Sequence, residues 1–303
     1  MSPPIDPAPA QNPPERADCS VYVSSCDAYS DLWPGFCAGL ARNWPDCPWP
    51  VYLGANRKSA SFPGVTTLQS DPSALWSDNV IEHLQQLRTG HILFLLDDFF
   101  LRRSVSTALL KNLLDELRGL DGSALRLIPK PPPDSALPHH PLIGECAKDA
   151  PYRICVQPTL WNRQDLMAVL VGGESIWDFE RRASLRARAG SRRFFATYTD
   201  MFPCRGWIFH HVVEKGKWIP VEYLRFKLAG FPVNRSHRGL MRPMPFLLLA
   251  LAELSNRILT WWFGSRAHVV RRTIMDAVPR PLRDFYRRRR GYPPLQNGGD
   301  RIG

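Results

Sequence analysis

The pair Asp97-Asp98 ends an apolar run in HILFLLDDFFL, residues 91–101, and is followed at once by Phe99 and Phe100. Adjacent carboxylates at the end of a buried strand repel each other and lose hydration, so something positive must compensate. A divalent cation such as Mg²⁺ or Mn²⁺ does this, and it keeps coordination positions that diphosphate oxygens can fill. The plainer alternative is that Asp98 caps a turn and Asp97 pairs with Arg102.

A second set of polar residues follows in YRICVQPTLWNRQDLMAVLVGGESIWDFERRAS, residues 152–184. Gly172 and Gly173 let backbone approach a ligand, and Glu174, Asp178 and Glu180 stand within seven residues of one another beside Trp177, with Trp161 upstream. Acids with tryptophans can bind sugar hydroxyls and stack on sugar rings. An ordinary helix N-terminus, whose dipole favours acids, explains the same residues.

The elements that must position these groups read as an α/β fold. CSVYVSS (19–25) and PVYLG (50–54) are strand-like, and Leu32, Phe36, Leu40 and Trp44 between them share one helix face. A second helix runs from an N-cap at Asp71 through Trp76, Val80, Leu84 and Leu87 to Gly90. After the strand that ends at Asp97, Leu109, Leu110, Leu113, Leu114 and Leu117 mark a third helix, and 124–128 a further strand. Residues 152–157 read as another strand, with a short helix around 165–170. Such alternation predicts a mostly parallel central sheet with helices on both faces, whose ligands collect beyond the carboxyl ends of the strands.

The net charge of +11 is unevenly spread. Residues 1–232 hold 25 Lys and Arg against 24 Asp and Glu, whereas 233–303 hold 14 Arg against 4 acids. With a neutral body and no recognised binding motif, nucleic acid is not expected as a partner. Residues 1–17 are proline-rich and read as a disordered tail; they lack the layout of a secretory signal. Seven unpatterned cysteines then suggest reduced thiols and a cytoplasmic chain. Domain organisation is expected as tail (1–17), catalytic domain (18–232) and basic helical extension (233–303).

Within that extension, Phe246 to Phe263 approaches the length of a membrane span but is interrupted by Glu253, Asn256, Arg257 and Thr260. Those four fall on one side of a helix, so the segment is amphipathic. With Trp261, Trp262 and the arginines ending at Arg287–Arg290, the stretch 246–290 could lie on an anionic membrane surface or pack on the domain.

Taken together, VSSCDAYSDLWPGF, WPDCPWPVYLG, the strand ending in LLDD, YRICVQPTLWNRQDL, GGESIWDFE and GKW resemble bacterial glycosyltransferases of the A-type (GT-A) fold. The likeness runs from about residue 19 to about 228. It implies transfer of a sugar from a nucleotide-diphosphate donor to a glycan or lipid-linked acceptor, in polysaccharide assembly. Mn²⁺ or Mg²⁺ would be held by Asp97 and Asp98, a variant of the Asp-x-Asp pattern, with His211 a candidate further ligand. The resemblance places Ser24, Ser25, Asp27, Tyr29 and Asp97 toward the donor, and Trp161, Gly173, Trp177 and Glu180 toward the acceptor. The catalytic base would be Asp178 or Glu174. A haloacid-dehalogenase-type phosphatase is disfavoured, because the residues after the aspartates are phenylalanines. A chain that kept the fold without the chemistry, as a scaffold or a membrane-associated binding protein, is the rival reading.

Overall fold

The structure, a computed structural model, describes residues 18–206, 208–263 and 270. Strand β1 (Cys19–Ser24) leads through a 3-10 turn at Asp27–Tyr29 into helix α1 (Trp33–Asn43), then β2 (Val51–Ala55) and β3 (Val65–Gln69). Helix α2 (Trp76–Gln86), β4 (His91–Leu96), α3 (Thr107–Gly119) and β5 (Ala124–Arg126) follow. Next come short strands β6 (Ser135–Ala136) and β7 (Ile143–Glu145), then β8 (Thr159–Asn162), α4 (Arg163–Val169), α5 (Ile176–Arg186) and β9 (Phe194–Thr197). A hairpin of β10 (Val213–Glu214) and β11 (Lys217–Trp218), then α6 (Pro220–Leu228) and α7 (Pro243–Phe263), complete the described elements.

Nine strands form one sheet in the order β3-β2-β1-β4-β8-β5-β9-β7-β6. β1 pairs in parallel with β2 and β4, and β2 with β3, whereas β8 runs antiparallel to both β4 and β5. This is the α/β architecture with a mostly parallel, doubly covered sheet that the hydrophobic periodicity predicts. Alternation sorts the core into two layers. Val21, Val23, Leu93 and Leu95 pack with Phe36 and Leu40 of α1 and Leu110 to Leu117 of α3. Tyr22, Ile92 and Phe94 pack on the other face with Val80 and Leu84 of α2, Leu166 of α4 and Phe179 of α5.

Three local expectations change. Residues 152–157 are not a strand: the strand starts at Thr159, because Arg153 turns inward, stacks on Phe194 at 4.5 Å and bonds the carbonyls of Ala187 and Arg192. Asp71 does not cap α2; it accepts from Ser73 N at 2.8 Å, while α2 starts at Trp76 and Asp78 reaches back to Leu75 N. The segment after 232 is no separate appendage at its start. Trp218 donates through Nε1 to Asn234 O, receives Met241 N at its own carbonyl and donates its backbone N–H to Gly239 O. Arg238 forms a doubly bonded ion pair with Asp31, both side chains being buried. The domain therefore extends to Met241.

Candidate functional site

Register delivers the site. Across β1 and β4, Cys19 faces His91 and Ser24 faces Leu96, so the two strands end level and the next residues meet. Ser25 donates its hydroxyl to Asp97 and receives the Trp33 indole N–H of α1 at 2.7 Å. Asp97 is 5% exposed. Burial and the neighbouring Asp98 push its carboxyl well above the usual carboxylate range, against the opposing effects of Ser25 and Arg238. Arg102 is not its partner, since that guanidinium lies 2.6 Å from Glu222 of α6.

Asp98 is half-buried, and its Oδ1 is shut away from solvent without a hydrogen-bond partner. Burial raises its pKa to about 6, with His211 and Arg238 pulling it down and Glu214 pushing it up. Its backbone carbonyl accepts from Val212 N at 3.0 Å, which brings the segment holding His211 alongside. His211 Nε2 is buried and lies 3.2 Å from Glu214 Oε2, its charge partner. Burial opposes the charge on His211, yet Glu214 and Asp98 outweigh it and hold the imidazole above its ordinary pKa. His210 points elsewhere, to Asp200, and burial pushes it down to about 4. Of the two adjacent histidines it is therefore His211 whose charge acts on Asp98; both stand in a loop.

The missing positive charge comes from Arg238. It bonds Asp31 at 2.6 and 2.7 Å and Ala28 O at 3.0 Å, and its guanidinium sits 4.3 Å from the centre of the Tyr29 ring. Sequence reasoning missed this residue because it counted Arg238 with the basic tail; a lone arginine 140 residues from Asp98 carries no local signal. Tyr29 is thereby covered on one face by a cation. Asp27 is engaged as well: its carboxylate accepts the backbone N–H groups of Asn56, Arg57 and Lys58 at 3.0 to 3.3 Å. Burial opposes its charge, but these donors hold its pKa below the usual range. It ties the loop after β1 to the loop after β2 and is not a free base or ribose acceptor.

The glycine loop lies at the same rim, one tryptophan away. Trp76 Nε1 donates to Ser24 Oγ at 3.1 Å, and the same indole packs on Phe179 with centroids 5.1 Å apart. Gly173 has φ +79°, and its N–H bonds the Asp78 carboxylate at 3.0 Å; a Cβ on Gly172 would stand 2.5 Å from Asp78 Oδ1. The glycines are therefore explained by close docking on α2. Glu174 is buried and bound by Arg186 through both oxygens, at 2.7 and 2.8 Å. Ser175 caps α5, donates to Asp178 at 2.7 Å and, with Arg181, holds that carboxyl below its usual range. Both candidate bases thus have structural partners, Asp178 being the more exposed.

Two expected acceptor residues are corrected. Trp161 is 2% exposed in β8 and packs edge-on against Phe194, so no sugar can stack on it. Glu180 accepts Val156 N at 3.0 Å, and burial raises its pKa. Trp177, by contrast, is 62% exposed. Downstream, Arg181, Arg186, Arg192 and Arg193 pair with Asp178, Glu174, Asp165 and Glu145.

Among the described residues no group of three or more His, Cys, Asp or Glu side chains is placed to hold a metal ion. What stands there is smaller: Asp98, whose Oδ1 is buried without a hydrogen-bond partner, and Asp97 beside it, held by Ser25. Two adjacent carboxylates suit a divalent cation that takes most of its ligands from a substrate or water.

The sequence matches no protein-family model and no curated protein. Among solved structures, similarity is found to 2-C-methyl-D-erythritol 4-phosphate cytidylyltransferase from Thermus thermophilus, at 14% identity over 77% of this chain and 97% of that one, TM-score 0.33. Two structures of S. aureus TarS also match, at TM-score 0.39 each. One, at 10% identity, pairs 90% of this chain with 53% of that one; the other, residues 1–349, pairs 90% with 87% at 12% identity. The chain thus spans about half of the longer TarS structure. At these scores the likeness says nothing of the chemistry.

Proposed function

We propose that the chain is a glycosyltransferase that takes a sugar from a nucleotide-diphosphate donor and passes it to a glycan or lipid-linked acceptor at the cytoplasmic side of a membrane. The observation that carries this reading is the buried, unpartnered Oδ1 of Asp98 next to the buried Asp97, at the carboxyl edge where β1 and β4 end together. Ligands of parallel sheets bind at that edge. A scaffold without chemistry has no reason to keep such an orphaned group, which costs stability.

Asp97, Asp98 and His211 would hold Mn²⁺ or Mg²⁺, which supplies charge neutralisation on the departing diphosphate. The protein's own groups do the rest. Ser25 and Trp33 fix the Asp97 carboxylate, Arg238 adds positive charge beside the aspartates, and the Asp27 clamp shapes the loop that would border the nucleotide. Trp177 offers an exposed ring to an acceptor sugar, with Gly173 as the turn that sets it on the rim. Asp178 is the group we assign to take the acceptor proton; Arg181 must move aside first, because the bonds it now receives make it a weak base.

The experiment is release of nucleoside diphosphate from a panel of nucleotide sugars, with Mn²⁺ or with chelator, in the parent and in Asp97→Asn and Asp98→Asn. The reading requires metal-dependent release that both substitutions abolish. Equal release by all three proteins overturns it.

A further inference from the structure

Helix α7 leaves a long apolar side exposed to water. Phe246 meets Phe209 with ring centroids 6.2 Å apart, and Glu253 forms an ion pair with Lys130, so the side that carries the helix's acid faces its own domain. The opposite side holds Met244, Leu247, Leu251, Leu254, Ile258 and Trp262, all exposed. Their spacing of three and four residues makes one continuous stripe along 21 residues. A helix that belonged to the core would bury this stripe and expose Glu253. The sequence alone leaves open which face docks; the structure turns Glu253 and Asn256 toward the domain with Phe246, Leu249 and Leu259, and leaves the stripe outside.

From this we infer that the stripe on α7 seats the protein on an anionic lipid surface. Charge selects this occupant over a second copy of the chain. Arg242 stands exposed immediately before the helix, where its stem can lie along the apolar layer with its head at the phosphates. The sequence from 264 to 303 adds ten arginines, no lysine and three acids. A second copy would bring the same positive charge to the same face and be repelled; lipid headgroups of negative charge are attracted. Length agrees, since no described helix is long and apolar enough to cross a membrane, which leaves an in-plane seat for α7. Phe209 lies two residues from His211, so the seated helix brings the rim of the candidate site to the lipid. This deepens the proposed function by naming the surface at which a lipid-linked acceptor is met, and it rests on that reading only for its purpose.

The test is flotation of the full chain with vesicles of phosphatidylglycerol mixed into phosphatidylcholine, against pure phosphatidylcholine, at low and high salt. The parent should float with the anionic vesicles at low salt and lose most of this at high salt. The double substitution Leu251→Glu, Leu254→Glu should bind the anionic vesicles about tenfold or more weakly, with unchanged melting temperature, because neither leucine is buried. Flotation of the variant equal to that of the parent overturns the proposal, as does no flotation of the parent. A parent that is dimeric in solution and becomes monomeric on this substitution assigns the stripe to a second copy. Nucleotide-sugar binding is measured on both proteins without vesicles: its absence from both, with flotation intact, counts against the glycosyltransferase reading and leaves the lipid surface standing.

Discussion

Removing Arg238 should expose how much the site depends on a residue from the far end of the domain. Its guanidinium bonds both oxygens of Asp31 and the Ala28 carbonyl, and both ion-pair partners are 7% exposed. Arg238→Ala leaves Asp31 buried and unpaired, a loss that runs to about 3–5 kcal/mol. For a domain of this size each 1 kcal/mol lowers the melting temperature by roughly 2–4 °C, so a fall of about 10 °C is expected. The double variant Arg238→Met, Asp31→Leu removes both charges and should recover most of the loss, because the isolated carboxylate is what costs. Loss of the cation also raises the proton affinity of Asp97 and Asp98 in Arg238→Ala, whereas in the double variant the loss of Asp31 offsets this at Asp97. Thermal and urea melts of the three proteins, with Mn²⁺ titrations, separate the effects. A drop under about 1 kcal/mol for Arg238→Ala, or a double variant no better than the single, would refute the reasoning.

Further outcomes follow from the same geometry. Asp98 has a folded pKa of about 6 against about 3.9 in an unfolded chain, so its charge weighs against the metal-free fold at neutral pH and the penalty disappears as pH falls below about 4. Asp98→Asn should thus stabilise the chelator-treated protein by up to about 3 kcal/mol at about pH 7.5 and by little at about pH 4, read by melts at the two pH values. Trp161→Ala should cost about 3–5 kcal/mol through a core cavity, whereas Trp177→Ala should change stability by less than about 0.5 kcal/mol and raise the acceptor KM. Asp178→Asn should lower turnover by about 10² with donor affinity nearly unchanged; turnover equal to the parent's moves the base elsewhere.

Much of the scaffold was legible because its signals are local. The four-residue spacing of Leu32, Phe36 and Leu40, the leucines of α3 and the unbroken apolar run of β4 each identify their element without reference to the rest. β9 and β3 were not legible: Phe194–Thr197 and Val65–Gln69 are short, and only their neighbours in the sheet make them strands. The false strand at 152–157 has strand composition, but a buried arginine that bonds two carbonyls outweighs propensity. In the site, the aspartate pair could be read because its two residues are adjacent. The Asp27 clamp and the Arg238–Asp31 pair depend on residues about 30 and 207 positions apart, so residue type hinted at the first only as a nucleotide contact and gave no hint of the second. Likewise the acids after Gly173 suggested catalysis, while Arg186, Ser175 and Val156 supply the bonds that explain them structurally.

The central claim is that Asp97, Asp98 and His211 hold a divalent cation together with the diphosphate of a nucleotide sugar. Its most direct test is thermal stabilisation of the full chain by a panel of nucleotide sugars, with and without Mn²⁺, in the parent and in Asp98→Asn. At a hundred times the dissociation constant a bound donor stabilises by about 2.7 kcal/mol, several degrees for this domain. The account predicts such a shift for at least one nucleotide sugar, only with Mn²⁺ and only in the parent. Stabilisation of equal size without metal, or in Asp98→Asn, would contradict it, as would no shift with any donor in the panel.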